Sequence, residues 1–207
     1  MRRWNGWGDS ANDYPLKPAG RRFLEERLGP GQPLPDATLE TVLERVPASR
    51  LPAHPLVETD PEIRVRHARG QSLADWLAVR SGEIGVFPDG VALPATSAQV
   101  RELMDWCQQE DIRLIPYGGG TSVVGHINPP DGQRPVLTLS LARMNRLTDL
   151  DEESRLATFG AGTPGPEVER QLGERGYRLG HYPQSWELST LGGWVASRSS
   201  GQQSLRY

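Results

Sequence analysis

The feature of this sequence best suited to holding a ligand is a run of three glycines, Gly118, Gly119 and Gly120, which follows an apolar segment at residues 112–115. Without Cβ atoms, the backbone N–H groups of such a run can approach a ligand closely, and positive φ angles cost little. Successive N–H groups can then point into one concavity that suits an anion such as a diphosphate. A tight or flexible turn between strands is the alternative that this segment alone leaves open. The candidate binding residues here are Pro116, Tyr117, Gly118, Gly119, Gly120, Thr121 and Ser122.

A second candidate segment, near the C-terminus, mixes hydroxyl groups, paired glycines and bulky apolar side chains. This mixture suits backbone packed against a flat polar ligand, with N–H and O–H donors directed at its edge. A serine-rich surface loop is the alternative, but Trp186, Leu188 and Trp194 argue against full exposure. The candidate binding residues here are Gln184, Ser185, Trp186, Glu187, Leu188, Ser189, Thr190, Gly193, Ser197, Arg198, Ser199 and Ser200.

Residues 160–165 also match the dinucleotide-binding pattern G-x-G-x-x-G. However, the preceding residues 146–159 have the pattern of an antiparallel hairpin, not of the first strand of a parallel unit. Pro164 and Pro166 also remove N–H donors where a helix N-terminus would offer them to a pyrophosphate. We therefore expect a turn followed by a helix that starts with proline.

The elements around the glycine run predict a β-α-β arrangement. Short strands are expected at residues 85–87 and 91–93, followed by a helix capped by Ser97 and a strand at residues 112–117. On this prediction the glycine run lies at the C-terminal end of a strand, where open α/β sheets bind ligands. A further strand is expected at residues 136–140.

Residues 1–82 have a different pattern, with helical segments separated by prolines. One helix is expected to start at Asp60 and Pro61, and another at Ser72, with Gly82 as its C-terminal stop. We predict a helical, proline-punctuated N-terminal extension at residues 1–82 and a ligand-binding domain at residues 83–207. No catalytic constellation is expected in the extension.

Composition excludes several classes of protein. The 207 residues carry a net charge of −3, and no segment is basic enough to indicate a nucleic-acid partner. The single cysteine, Cys107, excludes a disulfide framework and a multi-cysteine metal cluster, and it favours a reducing compartment. No signal peptide and no apolar run of membrane-spanning length is present. We expect a soluble, cytoplasmic protein that binds no metal.

The candidate segments together resemble a known family. The motifs P-Y-G-G-G-T-S, Q-S-W-E-L-S-T-L-G-G-W and S-R-S-S-G, in that order, resemble the flavin-binding half of the vanillyl-alcohol oxidase/p-cresol methylhydroxylase (PCMH-type) superfamily. Within it, the chain is most similar to alkylglycerone-phosphate synthase and its bacterial FAD-linked oxidoreductase relatives. The motif R-W-N-G-W-G near the start is similar as well.

The resemblance implies an α+β (mixed α/β) fold, with an incomplete PCMH-type FAD-binding domain after a helical N-terminal extension. Residues 116–122 would bind the FAD diphosphate through backbone amides. Residues 184–190 and 197–200 would line the rest of the dinucleotide and the isoalloxazine. Some superfamily members attach flavin through a histidine in the glycine loop; Thr121 stands at that position here, so binding would be non-covalent.

The resemblance also implies that the chain is an N-terminal fragment, inactive by itself, because the family's catalytic residues lie beyond the position of Tyr207. No catalytic residue is therefore assigned, and a homodimer would form through the missing C-terminal half. Three functions stay open: a flavin-dependent alkylglycerone-phosphate synthase-like transferase, an FAD-dependent 2-hydroxy-acid dehydrogenase acting on a small-molecule substrate, or an inert nucleotide-binding module.

Overall fold

The structure, a computed structural model, describes residues 2–32 and 34–201. Its helices are α1 (Pro18–Leu28), α2 (Leu39–Leu43), α3 (Pro61–Arg66), α4 (Leu73–Ser81), α5 (Ser97–Gln109), α6 (Gly165–Gly173) and α7 (Leu191–Ser197). Its strands are β1 (Val57–Glu58), β2 (Gly90–Ala92), β3 (Arg113–Tyr117), β4 (Val136–Ser140), β5 (Leu147–Asp151) and β6 (Leu156–Phe159). None of the helices within these residues combines the length and apolar character needed to cross a bilayer.

A four-stranded sheet in the order β1-β2-β4-β3 forms the centre of the fold. Strands β2, β4 and β3 run parallel, and β1 pairs antiparallel with β2. Central strand β4 is buried along its whole length, as expected for a parallel strand with both faces covered. Leu103 and Cys107 of α5 pack against Leu137 and Leu139 of β4 in one core cluster. Burial raises the pKa of the Cys107 thiol to about 11, so this cysteine acts as a small core hydrophobe.

The segment before residue 82 is mostly helical, and its buried residues Val42, Val65 and Val79 pack in one core cluster with Ile84 and Phe87. Helices α3 and α4 begin where the sequence predicts, and α4 also ends there: Asp60 caps α3, Ser72 and Asp75 form a capping box on α4, and Gly82 ends α4 in the left-handed conformation. Strand β1 of this segment, which we did not predict, pairs with β2.

Residues 85–87, which the structure describes, do not form the predicted strand. Gly85 adopts a φ of +80°, and this left-handed conformation interrupts the extended backbone that a strand requires. The helix cap is also shifted by one residue, because the Thr96 side chain, not that of Ser97, accepts a hydrogen bond from the Gln99 N–H.

The G-x-G-x-x-G pattern forms a turn followed by a helix that starts with proline, as predicted. Strands β5 and β6 form an antiparallel hairpin, and α6 then starts at Gly165 with Pro164 as its N-cap. A Cβ on Gly160 would lie 2.3 Å from the Met144 carbonyl oxygen, and one on Gly162 would lie 1.7 Å from that of Leu141. These glycines therefore allow two backbone segments to approach each other.

Candidate cofactor site

The glycine run forms a loop directly after β3, with Tyr117 at the end of that strand as its support. The buried Tyr117 hydroxyl donates to the Arg66 carbonyl at 3.3 Å, and its ring lies 4.5 Å from the ring of His67. Gly120 has a φ of +70°, and a Cβ there would lie 2.0 Å from the Tyr117 hydroxyl. Glycine is therefore required at position 120 by both conformation and space.

The two candidate segments, which are far apart in the sequence, adjoin in the structure. A Cβ on Gly118 would lie 2.4 Å from Oγ1 of Thr190, and one on Gly119 would lie 1.9 Å from the Leu188 carbonyl oxygen. The first two glycines thus allow close packing of two protein segments. This is a structural reason for glycine that we did not predict, in addition to the approach of a ligand.

Two carbonyls of the loop bond to protein donors, whereas its glycine N–H groups have no protein acceptor among the described residues. Gly119 accepts a hydrogen bond at its carbonyl from Nη2 of Arg2 at 2.7 Å, and the Ser122 carbonyl accepts one from the Gln71 N–H at 2.6 Å. Over residues 2–32 and 34–201, by contrast, no protein acceptor receives the N–H groups of residues 118–120. Because unpaired backbone donors are costly when they are shielded from water, this arrangement favours an anionic ligand.

Thr190 contributes a further unpaired polar atom next to the loop. Its side chain is only 5% exposed, and Oγ1 has no hydrogen-bond partner within the described part of the chain. Although Thr190 is the N-cap residue of α7, its hydroxyl does not cap the helix. The hydroxyl is therefore free to bind a group that enters between the loop and α7.

The rest of the segment at residues 184–190 forms a turn. Ser185 adopts a φ of +60°, and its carbonyl accepts from the N–H groups of Leu188 and Ser189. Trp186 packs edge-on against Tyr182 at 5.5 Å between ring centres, and its buried indole N–H has no partner within residues 2–32 and 34–201. The side chains of Gln184 and Glu187 face solvent.

The last candidate residues lie at the opposite end of α7 from Thr190. A helix of this length separates them from Thr190 by about 10 Å. Ser199 bonds through its hydroxyl to Nε2 of His181 at 3.3 Å, whereas Arg198 and Ser200 are exposed. In the described residues no hydrogen bond joins residues 197–200 to the glycine loop.

Two residues near these segments were missed by sequence reasoning. His181 is buried, packs edge-on against Trp194 at 5.1 Å and has an unpartnered Nδ1 among the described atoms. Arg2 contacts the glycine loop directly. For Arg2, its position directly before the R-W-N-G-W-G motif at residues 3–8 was a usable signal, but a lone histidine offers none.

Behind the loop lies a cavity of about 190 Å³ with basic walls. Arg2, Arg66 and Arg69 line it together with His67 and Tyr117. Burial lowers the pKa of His67, and the positive charges of Arg2 and Arg66 lower it further, so the imidazole is neutral at pH 7. The positive charge on this side of the loop therefore comes from arginine. No group of three or more His, Cys, Asp or Glu side chains within the described residues could hold a metal ion.

These features fit a diphosphate-bearing cofactor. The loop presents unpaired N–H groups, and the unpaired Thr190 hydroxyl lies beside it. The basic cavity wall adds a favourable field for an anion.

Comparison with known proteins identifies the cofactor. A family model described as an FAD binding domain matches residues 88–207. The chain is 32% identical to alkyldihydroxyacetonephosphate synthase (alkylglycerone-phosphate synthase) of Dictyostelium discoideum, covering 99% of this chain and 39% of that protein. It is 26% identical to mitochondrial D-2-hydroxyglutarate dehydrogenase of Bos taurus, covering 97% of this chain and 35% of that protein.

A solved structure of an alkyldihydroxyacetonephosphate synthase superposes on the whole chain with a TM-score of 0.85 and 32% identity, and the match covers 45% of the solved chain. The predicted fold class and the predicted cofactor, FAD, are thereby confirmed. The chain spans about two fifths of the length of the curated synthase it matches. It belongs to the FAD binding domain family, as a PCMH-type domain homologous to part of alkyldihydroxyacetonephosphate synthase.

Proposed function

We propose that this chain holds FAD non-covalently, with the diphosphate on the N–H groups of residues 118–120. The observation that carries the proposal is the polarity of the loop: its carbonyls at Gly119 and Ser122 bond to protein, and its glycine N–H groups do not. The hydroxyls of Thr121, Ser122 and Thr190 would add donors at the edges of the diphosphate.

The remaining candidate residues would line the rest of the dinucleotide. The turn at residues 184–190 adjoins the glycine loop, and the Trp186 indole N–H is available to an acceptor on the cofactor. Gly193 and residues 197–200 would contact the cofactor farther along α7. When bound, the flavin supplies the redox chemistry, as an acceptor of a hydride or an electron pair. The chain's own residues bind and orient it.

We infer that the whole protein is a flavoenzyme of the alkylglycerone-phosphate synthase type, which exchanges an acyl for an alkyl chain on a ketone phosphate. The support is the similarity to the Dictyostelium enzyme over nearly the whole chain. Oxidation of a 2-hydroxy acid is the second candidate, favoured by the similarity to D-2-hydroxyglutarate dehydrogenase. Assays of the whole protein with an acyl ketone phosphate and with a 2-hydroxy acid would separate the two, since each candidate turns over only its own substrate. A colourless protein that takes up no flavin would favour an inert binding module.

The other parts of the proposal concern organisation. We propose a division into residues 1–82 and 83–207, a cytoplasmic location, a small-molecule substrate, no nucleic-acid partner, and a homodimer formed through a C-terminal half of the whole protein. Light scattering on the whole protein and on this chain tests the homodimer. A dimeric whole protein with a monomeric 207-residue chain is expected, and a monomeric whole protein contradicts it.

Thr190→Val tests the cofactor site most directly, because it removes the hydroxyl and keeps the shape of the side chain. A buried hydroxyl without a partner costs about 1–3 kcal/mol, so its removal should leave the free energy of unfolding unchanged or higher. If this hydroxyl binds FAD, the same change weakens FAD binding roughly tenfold. Flavin fluorescence titration and urea denaturation measure the two effects.

Thr138→Val is the matched control. Thr138 is also fully buried with an unpartnered hydroxyl among the described residues, but it lies within strand β4. This variant should gain stability and bind FAD like the unchanged protein. Equal FAD affinity in both variants would contradict the role of Thr190, and the absence of FAD uptake by the unchanged chain would contradict the proposed function.

A further inference from the structure

Residues 2–9, which contain the motif R-W-N-G-W-G at residues 3–8, fold into a small hairpin beside the glycine loop. Arg2 and Asp9 form an antiparallel bridge, and the Arg3 N–H donates to the Gly8 carbonyl at 3.0 Å. Gly8 takes a φ of +83° to close this turn. Trp4 packs against the core cluster of the N-terminal segment, which fixes the hairpin to the body of the protein.

The hairpin holds Arg2 at both its main chain and its side chain. The Arg2 carbonyl accepts a hydrogen bond from Nη1 of Arg66 at 3.3 Å. Its guanidinium donates through Nη2 to the Gly119 carbonyl at 2.7 Å. Arg2 therefore connects the hairpin, α3 and the glycine loop.

This contact fixes the direction of a donor in the loop. The Gly119 carbonyl and the Gly120 N–H belong to one trans peptide unit, so they point in opposite directions. A guanidinium that holds the carbonyl thereby directs the Gly120 N–H away from itself. Among the described residues this N–H has no protein acceptor.

We propose that Arg2 is a positioning residue for FAD: by holding the Gly119 carbonyl, it aims the Gly120 N–H at the diphosphate. The inference rests on the proposed function of the loop and adds a role for the N-terminal hairpin. Glycine-rich backbone is otherwise free to rotate, and pre-ordering it lowers the entropy lost when the phosphate binds.

The other arginines around the cavity do not provide this contact. Arg3 donates to the carbonyls of Asp9 and Asn12 within its own segment. Arg66 pairs with Glu62, and Arg69 donates to the Ile84 carbonyl. Arg3 therefore offers a control with the same charge, the same hairpin and the same cavity wall, but without a bond to the glycine loop.

The test compares Arg2→Gln, Arg2→Lys and Arg3→Gln in the 207-residue chain. Flavin fluorescence titration gives the FAD dissociation constant, and hydrogen–deuterium exchange without FAD reports the order of residues 118–122. Arg2→Gln should weaken FAD binding roughly three- to tenfold and speed exchange in this loop. Arg2→Lys keeps a charged donor and should restore most of the affinity, whereas Arg3→Gln should remain within about twofold of the unchanged chain.

The opposing outcomes are distinct. If the unchanged chain binds FAD and Arg2→Gln binds it equally well, only this inference fails. Equal losses in Arg2→Gln and Arg3→Gln would show that lost charge or a loosened hairpin is the cause, and would also overturn it. If the unchanged chain binds no FAD, the proposed function fails together with the inference. Should Arg2→Gln not fold, Arg2→Met takes its place, because methionine keeps a long side chain and removes the donors; FAD binding by Arg2→Met as tight as that of Arg3→Gln would overturn the inference.

Discussion

At the scale of single residues, Gly119 has two roles that experiments can separate. Its missing side chain lets the Leu188 carbonyl approach, and its carbonyl bonds to Arg2. The close packing affects the stability of the protein, and the hydrogen bond affects the order of the loop that would bind FAD.

Gly119→Ala should therefore destabilise the protein even when no flavin is added. The new Cβ would lie 1.9 Å from a backbone oxygen, which cannot rotate away as a side chain could. Overpacking of this kind costs about 1–3 kcal/mol, so urea denaturation without FAD should show a lower free energy of unfolding.

Gly173→Ala is the control for that change. Gly173 lies at the end of α6, and a Cβ there meets nothing within 4 Å. Alanine should raise the free energy of unfolding there by about 0.5–1 kcal/mol. If Gly119→Ala were as stable as the unchanged protein, the close approach of residues 118–119 to residues 188–190 would be wrong.

The type of ligand could be predicted from residue types, but its full set of contacts could not. Three glycines followed by two hydroxyl residues suit an anion site, and the resemblance of the ordered motifs to a flavin-binding superfamily points to FAD. The role of Arg2 depends on a hydrogen bond between residues 117 positions apart, and that of the Thr190 hydroxyl on having no partner. Neither property is encoded in local sequence.

At the scale of elements, Asp89 joins the loop before β1 to the starts of β2 and β4. The carboxylate is 2% exposed and accepts from the Arg50 guanidinium at 2.7 and 2.8 Å and from the Val136 N–H at 2.8 Å. Burial by itself would raise the pKa of Asp89, but the hydrogen bonds from Arg50 and Val136 outweigh it and hold that pKa below the usual 3.8. The sequence predicts only that this residue lies between two short strands, at residues 85–87 and 91–93.

Asp89→Asn should lower the free energy of unfolding by about 2 kcal/mol at pH 7, since charge-assisted hydrogen bonds are lost. Because the pKa of Asp89 is lower in the folded state, its stabilisation is complete above about pH 4 and disappears as the pH falls through the folded-state value. Denaturation of both proteins between pH 7 and pH 2 should thus give curves that converge in acid.

Asp149→Asn makes the same charge change at an exposed position of β5 and should alter stability by less than about 0.5 kcal/mol. A constant difference between Asp89→Asn and the unchanged protein down to pH 2 would contradict the ion pair.

Elements with local start and stop signals could be predicted, and those that depend on distant partners could not. Ser72, Asp75 and Gly82 specify α4 because caps act within a few residues. Strand β1 has two residues, Val57 and Glu58, and exists only because β2 lies beside it. Helix α7 was missed because its first turn contains Gly192 and Gly193, which disfavour a helix unless tertiary contacts hold it.

At the scale of the whole molecule, α1 contributes little to the core. None of its residues is buried, and Leu28 is 81% exposed. Leu28→Ala should change the free energy of unfolding by less than about 0.5 kcal/mol. Leu137→Ala makes the same change within β4, where Leu137 is fully buried, and should lower the free energy of unfolding by about 2–5 kcal/mol. Similar costs for the two changes, measured by urea denaturation, would show that α1 is packed.

Residue 2 contacts residue 119, and residue 118 lies against residue 190. These contacts have a consequence for the order in which parts of the protein fold. Contacts between such distant positions require closure of large segments, so they form late in folding. We therefore expect the nucleotide pocket to mature last, with flavin captured by a chain whose sheet is already in place.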